Sequence, residues 1–254
     1  DDIKKYDRAI KNYKKAIEIN PKYDGAYYNM GIALRKQGKY DQAIDAYKKA
    51  IEINPEKDEA YNNMGSTLDD LGKYDQAIDA YKKAIEINPK YDQAYYNMGI
   101  ALRKQGKYDQ AIDAYKKAIE INPEDISAKT ILAELHLIAE GFADAFTQAN
   151  AIIKEKDVSL NHALPMRFVS ISSLLFQGKK SEAAAQLKDF ITYYKSIPEE
   201  YERGWSYEDA KNFIKNNKKL NPEETKLLLK IIELLEAPKA EADKILKEIE
   251  AARF

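Results

Sequence analysis

From residue 24 to residue 55, apolar and polar positions alternate with a helical period, break at a glycine, and resume. Tyr27, Met30, Ile32 and Leu34 are among the apolar positions of the first stretch and predict a helix from about Ala26 to Gln37. Gly38 ends it, because glycine takes a left-handed C-cap without a Cβ penalty. Asp41 opens a second helix, where a carboxylate favours the positive end of the dipole. Ala43, Ile44, Tyr47, Ala50 and Ile51 recur along it at helical spacing. Asn54-Pro55 closes the unit, since a residue before proline is pushed out of helical dihedrals.

One such helix pair cannot bury its apolar face alone, and the sequence supplies copies to stack on it. Pro21, Pro55, Pro89 and Pro123 each follow Ile-Asn at intervals of 34 residues; Gly38, Gly72 and Gly106 keep the interval, as do Ala43, Ala77 and Ala111. A period of this size marks a stacked-repeat architecture. Gly31 and Ala43 let two helices cross closely, while Tyr27, Tyr40 and Tyr47 fill the space that remains.

The spacing Tyr27-x2-Met30-Gly31-x2-Leu34…Ala43-x3-Tyr47…Pro55 resembles the tetratricopeptide repeat, in three consecutive units at 24–57, 58–91 and 92–125. The resemblance implies an all-α fold. Its form is a right-handed α-solenoid of helix-turn-helix repeats, with first helices lining a concave groove, second helices forming the back, and a C-terminal helical cap. Tyr6, Ala9, Tyr13 and Pro21 match Tyr40, Ala43, Tyr47 and Pro55, so 1–23 is expected to be a second helix whose own first helix is missing.

After Pro123 the period blurs. Gly141, and then Gly178 with Ala183 five residues on, suggest degenerate helix pairs at 126–157 and 158–196, which are expected to continue the stack. Pro165 is tolerable if Asn161 caps its helix, because the first four helical N–H groups lack partners anyway. For 197–254 the expectation is a helical cap. PEEYERGW at 198–205 reads as a linker, Ser206 as a cap, and Asn221-Pro222-Glu223-Glu224 as a helix start. The following TKLLLKIIELLEA has too many leucines for a helix with a wholly wet outer face. Either it closes the stack or it forms a dimer interface.

Composition narrows the function. The chain has 254 residues and a formal net charge of -1, with 33% charged residues. That balance lacks the basic excess that nucleic acid or an anionic membrane surface would require. No apolar run approaches the roughly 18 residues of a spanning helix, so no membrane insertion is expected. Cys 0 removes disulfides and thiolate chemistry, and the only histidines, His136 and His162, stand in no metal-ligand spacing. They read as partly buried or groove-edge residues. Carboxylates alternate with lysines, and Asp45/Lys49 and Lys48/Glu52 read as i,i+4 pairs. There is no phosphate loop and no G-x-S-x-G elbow. The chain is therefore read as no enzyme, with no cofactor and no metal. Localisation stays open, with the cytoplasm as the default.

The segments 26–55 and 94–123 are identical, whereas 60–89 keeps the second half and rewrites the first. Asn62 stands against Tyr96, Ser66 against Ile100, Thr67 against Ala101, and Asp69-Asp70-Leu71 against Arg103-Lys104-Gln105. If first helices line a groove, a constant back carries a variable lining. Tyr28, Tyr96 and Asn62 are then expected anchors for a protein or extended peptide, with Ile32, Ser66, Ile100, Arg35, Asp69 and Arg103 around them.

Asn29, Asn63 and Asn97 do not vary. Their row resembles the asparagine ladder of the tetratricopeptide superhelix in O-GlcNAc transferase, which implies pairing with a ligand backbone. The other reading is that each asparagine bonds the backbone of the neighbouring repeat and orders the stack. Arg35-Lys36, Asp69-Asp70 and Arg103-Lys104 set a plus, minus, plus order, either an inter-repeat ladder or a ligand-selecting stripe. The two-carboxylate clamp of the chaperone-binding members is not expected, since Tyr28, Ile32, Gln93 and Asn97 fill four of its five places and only Asn63 matches. Self-association through the back or the C-terminal helices, and service as the substrate-recognition arm of a larger enzyme, remain the alternative functions.

Overall fold

A computed structural model describes residues 2–155, 158–197, 208–237 and 239–251, and among these every regular element is an α-helix. The chain divides into two compact units, 1–123 and 124–254.

The first unit contains α1 (Asp2–Ile19), α2 (Asp24–Lys36), α3 (Tyr40–Ile53), α4 (Asp58–Asp70), α5 (Tyr74–Ile87), α6 (Asp92–Lys104) and α7 (Tyr108–Ile121). Each packs on its neighbours in sequence, and α2 touches α4 as α4 touches α6. This is the α-solenoid of paired helices. α2 starts at Asp24, before the first residue of the apolar pattern, because an aspartate suits the first turn electrostatically without being apolar.

The pairs turn as the glycines require. Gly38, Gly72 and Gly106 have φ of 72°, 70° and 71°. Gly38 N–H donates to Arg35 O at 2.9 Å and Lys39 N–H to Leu34 O at 3.0 Å, the two bonds of a Schellman motif. Asn54, Asn88 and Asn122 then tie the end of each second helix to the start of its own first helix. Their Nδ2 groups donate to Asp24, Asp58 and Asp92 at 3.4, 2.7 and 2.9 Å.

Inside each pair, glycine meets tyrosine. A Cβ on Gly31 would lie 2.6 Å from the Tyr47 ring, on Gly65 2.7 Å from Tyr81, and on Gly99 2.8 Å from Tyr115. Helix backbone therefore rests directly on a buried ring, and that close approach fixes how the pair crosses.

The second unit contains α8 (Ile126–Ile138), α9 (Phe142–Lys154), α10 (Leu160–Phe176), α11 (Lys180–Lys195), α12 (Glu208–Asn216), α13 (Pro222–Glu236) and α14 (Lys239–Glu250). α8 packs on α9 and α10 on α11, with α10 also against α8, α9 and α13. α13 begins in a capping box: Asn221 Oδ1 accepts from Glu224 N–H, and Glu224 Oε2 accepts from Asn221 N–H, both at 2.9 Å. Its leucines are used within the chain. Leu227, Leu228, Ile231, Ile232, Leu234 and Leu235 are buried where α13 meets α10, α12 and α14.

Two local expectations need correction. Ser159, not Asn161, precedes α10, which leaves Pro165 inside the helix beyond the four free N–H groups. The burial of most of α10 offsets the missing hydrogen bond. On the second helices, lysine pairs one turn forward at i,i+3: Lys49–Glu52, Lys83–Glu86 and Lys117–Glu120, each at 2.6 Å. The linker at 198–205 and the Ser206 cap lie outside the described residues.

Candidate functional site

The first helices α2, α4 and α6 carry the sequence-predicted residues, and their geometry separates accessible side chains from those already committed. Asn63 Nδ2 donates to the Tyr28 hydroxyl at 2.8 Å, from one repeat to the preceding one. Asn97 Nδ2 donates to Asn62 Oδ1 at 3.0 Å across the same 35-residue offset, and to Ser66 Oγ at 3.4 Å. Gln93 Nε2 donates to Asn97 Oδ1 at 3.0 Å. Asn63 and Asn97 thus bond the preceding repeat through its side chains and not through its backbone. The Asn63→Ala variant is expected to lose about 1 kcal/mol of stability, the worth of one such bond, read from urea unfolding. An unchanged midpoint would show the bond to be idle.

The rewritten helix α4 is complementary to both of its neighbours, α2 and α6, which differ only at Gly25 against Gln93. Arg35 Nε meets Asp70 Oδ2 at 2.7 Å on one side, and Lys104 Nζ meets Asp69 Oδ2 at 2.6 Å on the other. Thr67 is buried and its hydroxyl donates to Asn63 O at 2.8 Å. Ser66 accepts from the buried Tyr81 hydroxyl at 3.3 Å, a partner that Ile32 and Ile100 cannot offer to Tyr47 and Tyr115. Asn62, expected as an anchor, is only 4% exposed, and its Nδ2 donates to the Tyr91 hydroxyl at 3.4 Å. It is an internal residue, bonded to Tyr91 and Asn97. Burial, together with nearby Tyr28, Asp58 and Glu59, pushes the Tyr91 phenol up to about 12, which keeps it protonated and polar where Asn62 reaches it.

Among the sequence-predicted residues, those that stay partly accessible are Tyr28, Asn29, Ile32 and Arg35 on α2, Asn63, Ser66 and Asp69 on α4, and Tyr96, Asn97 and Ile100 on α6. Tyr28 lies 6.1 Å from Tyr47 and Tyr96 5.5 Å from Tyr115, ring to ring. Each accessible ring is therefore braced by the buried ring that supports its own repeat. Arg103 is half-buried at the end of α6. Two apolar stations flank a polar middle.

In the second unit, Ser159 Oγ lies 2.8 Å from His162 Nδ1, and Ser127 Oγ lies 3.4 Å from His162 Nε2. Burial holds this histidine below its usual pKa, an effect that Asp125 opposes. The imidazole bridges the first turns of α8 and α10. Nothing in the spacing announces it, because Ser127 and His162 are 35 residues apart. His136 is buried on α8, deeper than the partly buried or groove-edge position expected of it. Among the described residues no three His, Cys, Asp or Glu side chains cluster as metal ligands, and no helix is long and apolar enough to cross a membrane.

Comparison with known proteins agrees with this geometry. A tetratricopeptide repeat model matches residues 25–57 and 93–125, a TPR repeat model matches 2–38 and 68–106, and a further tetratricopeptide repeat model matches 46–79. No curated protein is significantly similar in sequence. Among solved structures, MamA is 26% identical, with a TM-score of 0.52 over 70% of this chain and 91% of that one. YrrB, described as a TPR protein with an unusual peptide-binding site, is 21% identical, with a TM-score of 0.63 over 72% of this chain and 93% of that one. PilF of Pseudomonas aeruginosa is 18% identical, with a TM-score of 0.59 over 76% and 86%. With the repeat models matched between residues 2 and 125, and glycine set on tyrosine in each helix pair there, residues 2–125 are built of tetratricopeptide repeats.

Proposed function

We propose that the chain is a non-catalytic interaction protein that holds an extended peptide segment along the face of α2, α4 and α6. The observation that carries this is the arrangement of half-buried Tyr28 and Ile32 on one side and Tyr96 and Ile100 on the other, with polar Ser66 and Asn63 between them. Such side chains offer apolar area that a partner can cover, while their bracing keeps the cost of ordering low. YrrB, which shares the fold, has a peptide-binding site, so this architecture can carry one.

The ligand suited to this face has two apolar side chains and little charge. The inner cations Arg35 and Lys104 are already met by Asp70 and Asp69, so a carboxylate would compete with bonds in place. Neighbouring packed helices lie about 8–10 Å apart. Two steps along the first helices thus correspond to roughly five or six residues of extended chain at about 3.3 Å each.

The reading is tested with a peptide library selected on the full chain and measured by fluorescence anisotropy. Selected peptides should carry apolar residues about five or six apart. Ile32→Glu and Ile100→Glu, checked for folding by circular dichroism, should each weaken binding tenfold or more. Equal binding by both folded variants would sink the proposal.

A further inference from the structure

The polar middle of the face, between the Tyr28 and Tyr96 stations, has a fixed hydrogen-bond polarity. Gln93 Nε2 donates to Asn97 Oδ1, and Asn97 Nδ2 donates in turn to Asn62 Oδ1 and Ser66 Oγ. The Tyr81 hydroxyl donates to Ser66 Oγ as well. A serine oxygen has two lone pairs and one proton. Both lone pairs of Ser66 are therefore engaged, and its proton has no acceptor among the described residues. Ser66 is half-buried at the place that Ile32 and Ile100 hold in the flanking repeats.

The other junction ends the same way. Asn63 Nδ2 donates to the Tyr28 oxygen at 2.8 Å, which leaves the Tyr28 proton without an acceptor among the described residues. Asn63 Oδ1 accepts no hydrogen bond from them either. Ser66 follows Asn63 by one turn of α4, so the two share a stripe of the helix. Bonds donated into a hydroxyl polarise it, which makes each remaining O–H a stronger donor. Two donors and one acceptor thus border the middle of the face.

Building on the peptide face proposed above, we infer that its middle selects a carboxamide side chain, asparagine or glutamine, midway between the ligand's two apolar residues. The carboxamide oxygen accepts from the Ser66 or Tyr28 hydroxyl while its NH2 donates to Asn63 Oδ1. A primary carboxamide presents acceptor and donor on one edge, whereas a trans peptide group points them to opposite sides. An apolar residue would cover the two hydroxyls without replacing the bonds that water gives them, and a buried donor left unpaired is costly. A carboxylate would meet Asn63 Oδ1 and the acids Asp69 and Asp70 at the end of the same helix. A lysine or arginine has no acceptor for either hydroxyl and would face Arg35 and Lys104, which stand on those acids.

The probes are labelled, end-blocked heptapeptides Leu-Ala-Ala-X-Ala-Ala-Leu, with X as Gln, Asn, Leu, Glu or Lys, titrated onto the full chain by fluorescence anisotropy. The Gln or Asn peptide should bind tenfold or more tighter than the other three. Ser66→Ala and Tyr28→Phe, each checked for folding by circular dichroism, should cut the Gln-over-Leu ratio threefold or more. Ser66→Ile, which copies the flanking repeats, should reverse the ratio in favour of Leu. Equal binding whatever X is, or a Glu peptide tighter than the Gln one, would overturn the inference and leave the peptide face standing. So would an undiminished ratio in both Ser66→Ala and Tyr28→Phe. A loss in Ser66→Ala that is the same for every X would overturn it too, because the hydroxyl would then serve the ligand backbone. If no heptapeptide binds at all, the peptide face and this inference fall together.

Discussion

Tyr81→Ala is expected to destabilise the first unit by about 3–5 kcal/mol, the range for removing a large buried aromatic side chain. The ring is 2% exposed, supports the backbone of α4 at Gly65, and donates its hydroxyl to Ser66 at 3.3 Å. Its loss leaves a cavity where the two helices of the repeat cross, and the crossing cannot close without moving helix backbone. Tyr13→Ala is the internal control: it has the same place in the repeat but is only partly buried, so it should cost much less. Urea unfolding midpoints at constant slope measure both. Equal losses would show that burial under the first helix is not what the tyrosine contributes. Gly65→Ala approaches the same contact from the other side. Overpacking of about 1–3 kcal/mol opposes a helix-propensity gain of about 1 kcal/mol, so a net loss is expected.

That the helices of a pair cross closely at Gly31 was legible in the sequence from its fixed recurrence, but that the Tyr47 ring meets it there was not, because spacing alone does not say which side chain fills the crossing. The Schellman turns were legible for a similar reason, since Gly38 alone at its position tolerates a φ of 72°. So was the capping box, where Asn221 and Glu224 have the right spacing and chemistry. The start of α10 was not, because Ser159 and Asn161 are both good caps and only packing chooses between them.

The larger difference concerns α4. Its rewritten residues stand at positions that in the fold face both the groove and the adjoining helices, and a one-dimensional spacing cannot separate these directions. Asn62, Thr67 and Ser66 turned out to serve neighbours, through bonds reaching Asn97 and Tyr91, the helix's own backbone, and Tyr81. Identical copies carry Arg-Lys at the end of the first helix, and two of them placed side by side would set like charges together. The middle repeat resolves that conflict. Asp70 meets Arg35 on one side of it and Asp69 meets Lys104 on the other.

Reversing both acids with Asp69→Lys and Asp70→Lys should therefore cost about 2 kcal/mol or more at low salt. An exposed ion pair is worth about 0–1 kcal/mol and removal of one partner from a buried pair costs about 3–5 kcal/mol. These pairs stand between the two, with the Asp69 side chain 13% exposed and Arg35 33% exposed. The lysines also add repulsion against Arg35 and Lys104. Raising the salt from 0.01 M to 1 M shrinks the screening length from about 30 Å to about 3 Å, so much of the loss should return. Adding Arg35→Asp and Lys104→Asp to the reversed protein should restore stability at low salt as well, since it rebuilds both junctions with their signs exchanged. If the double reversal leaves stability unchanged at low salt and alters only which peptides bind, the acids serve the ligand and not the stack. If stability falls and the compensating pair fails to rescue it, the geometry of the Arg35–Asp70 contact, a guanidinium on a carboxylate at 2.7 Å, matters beyond its charge.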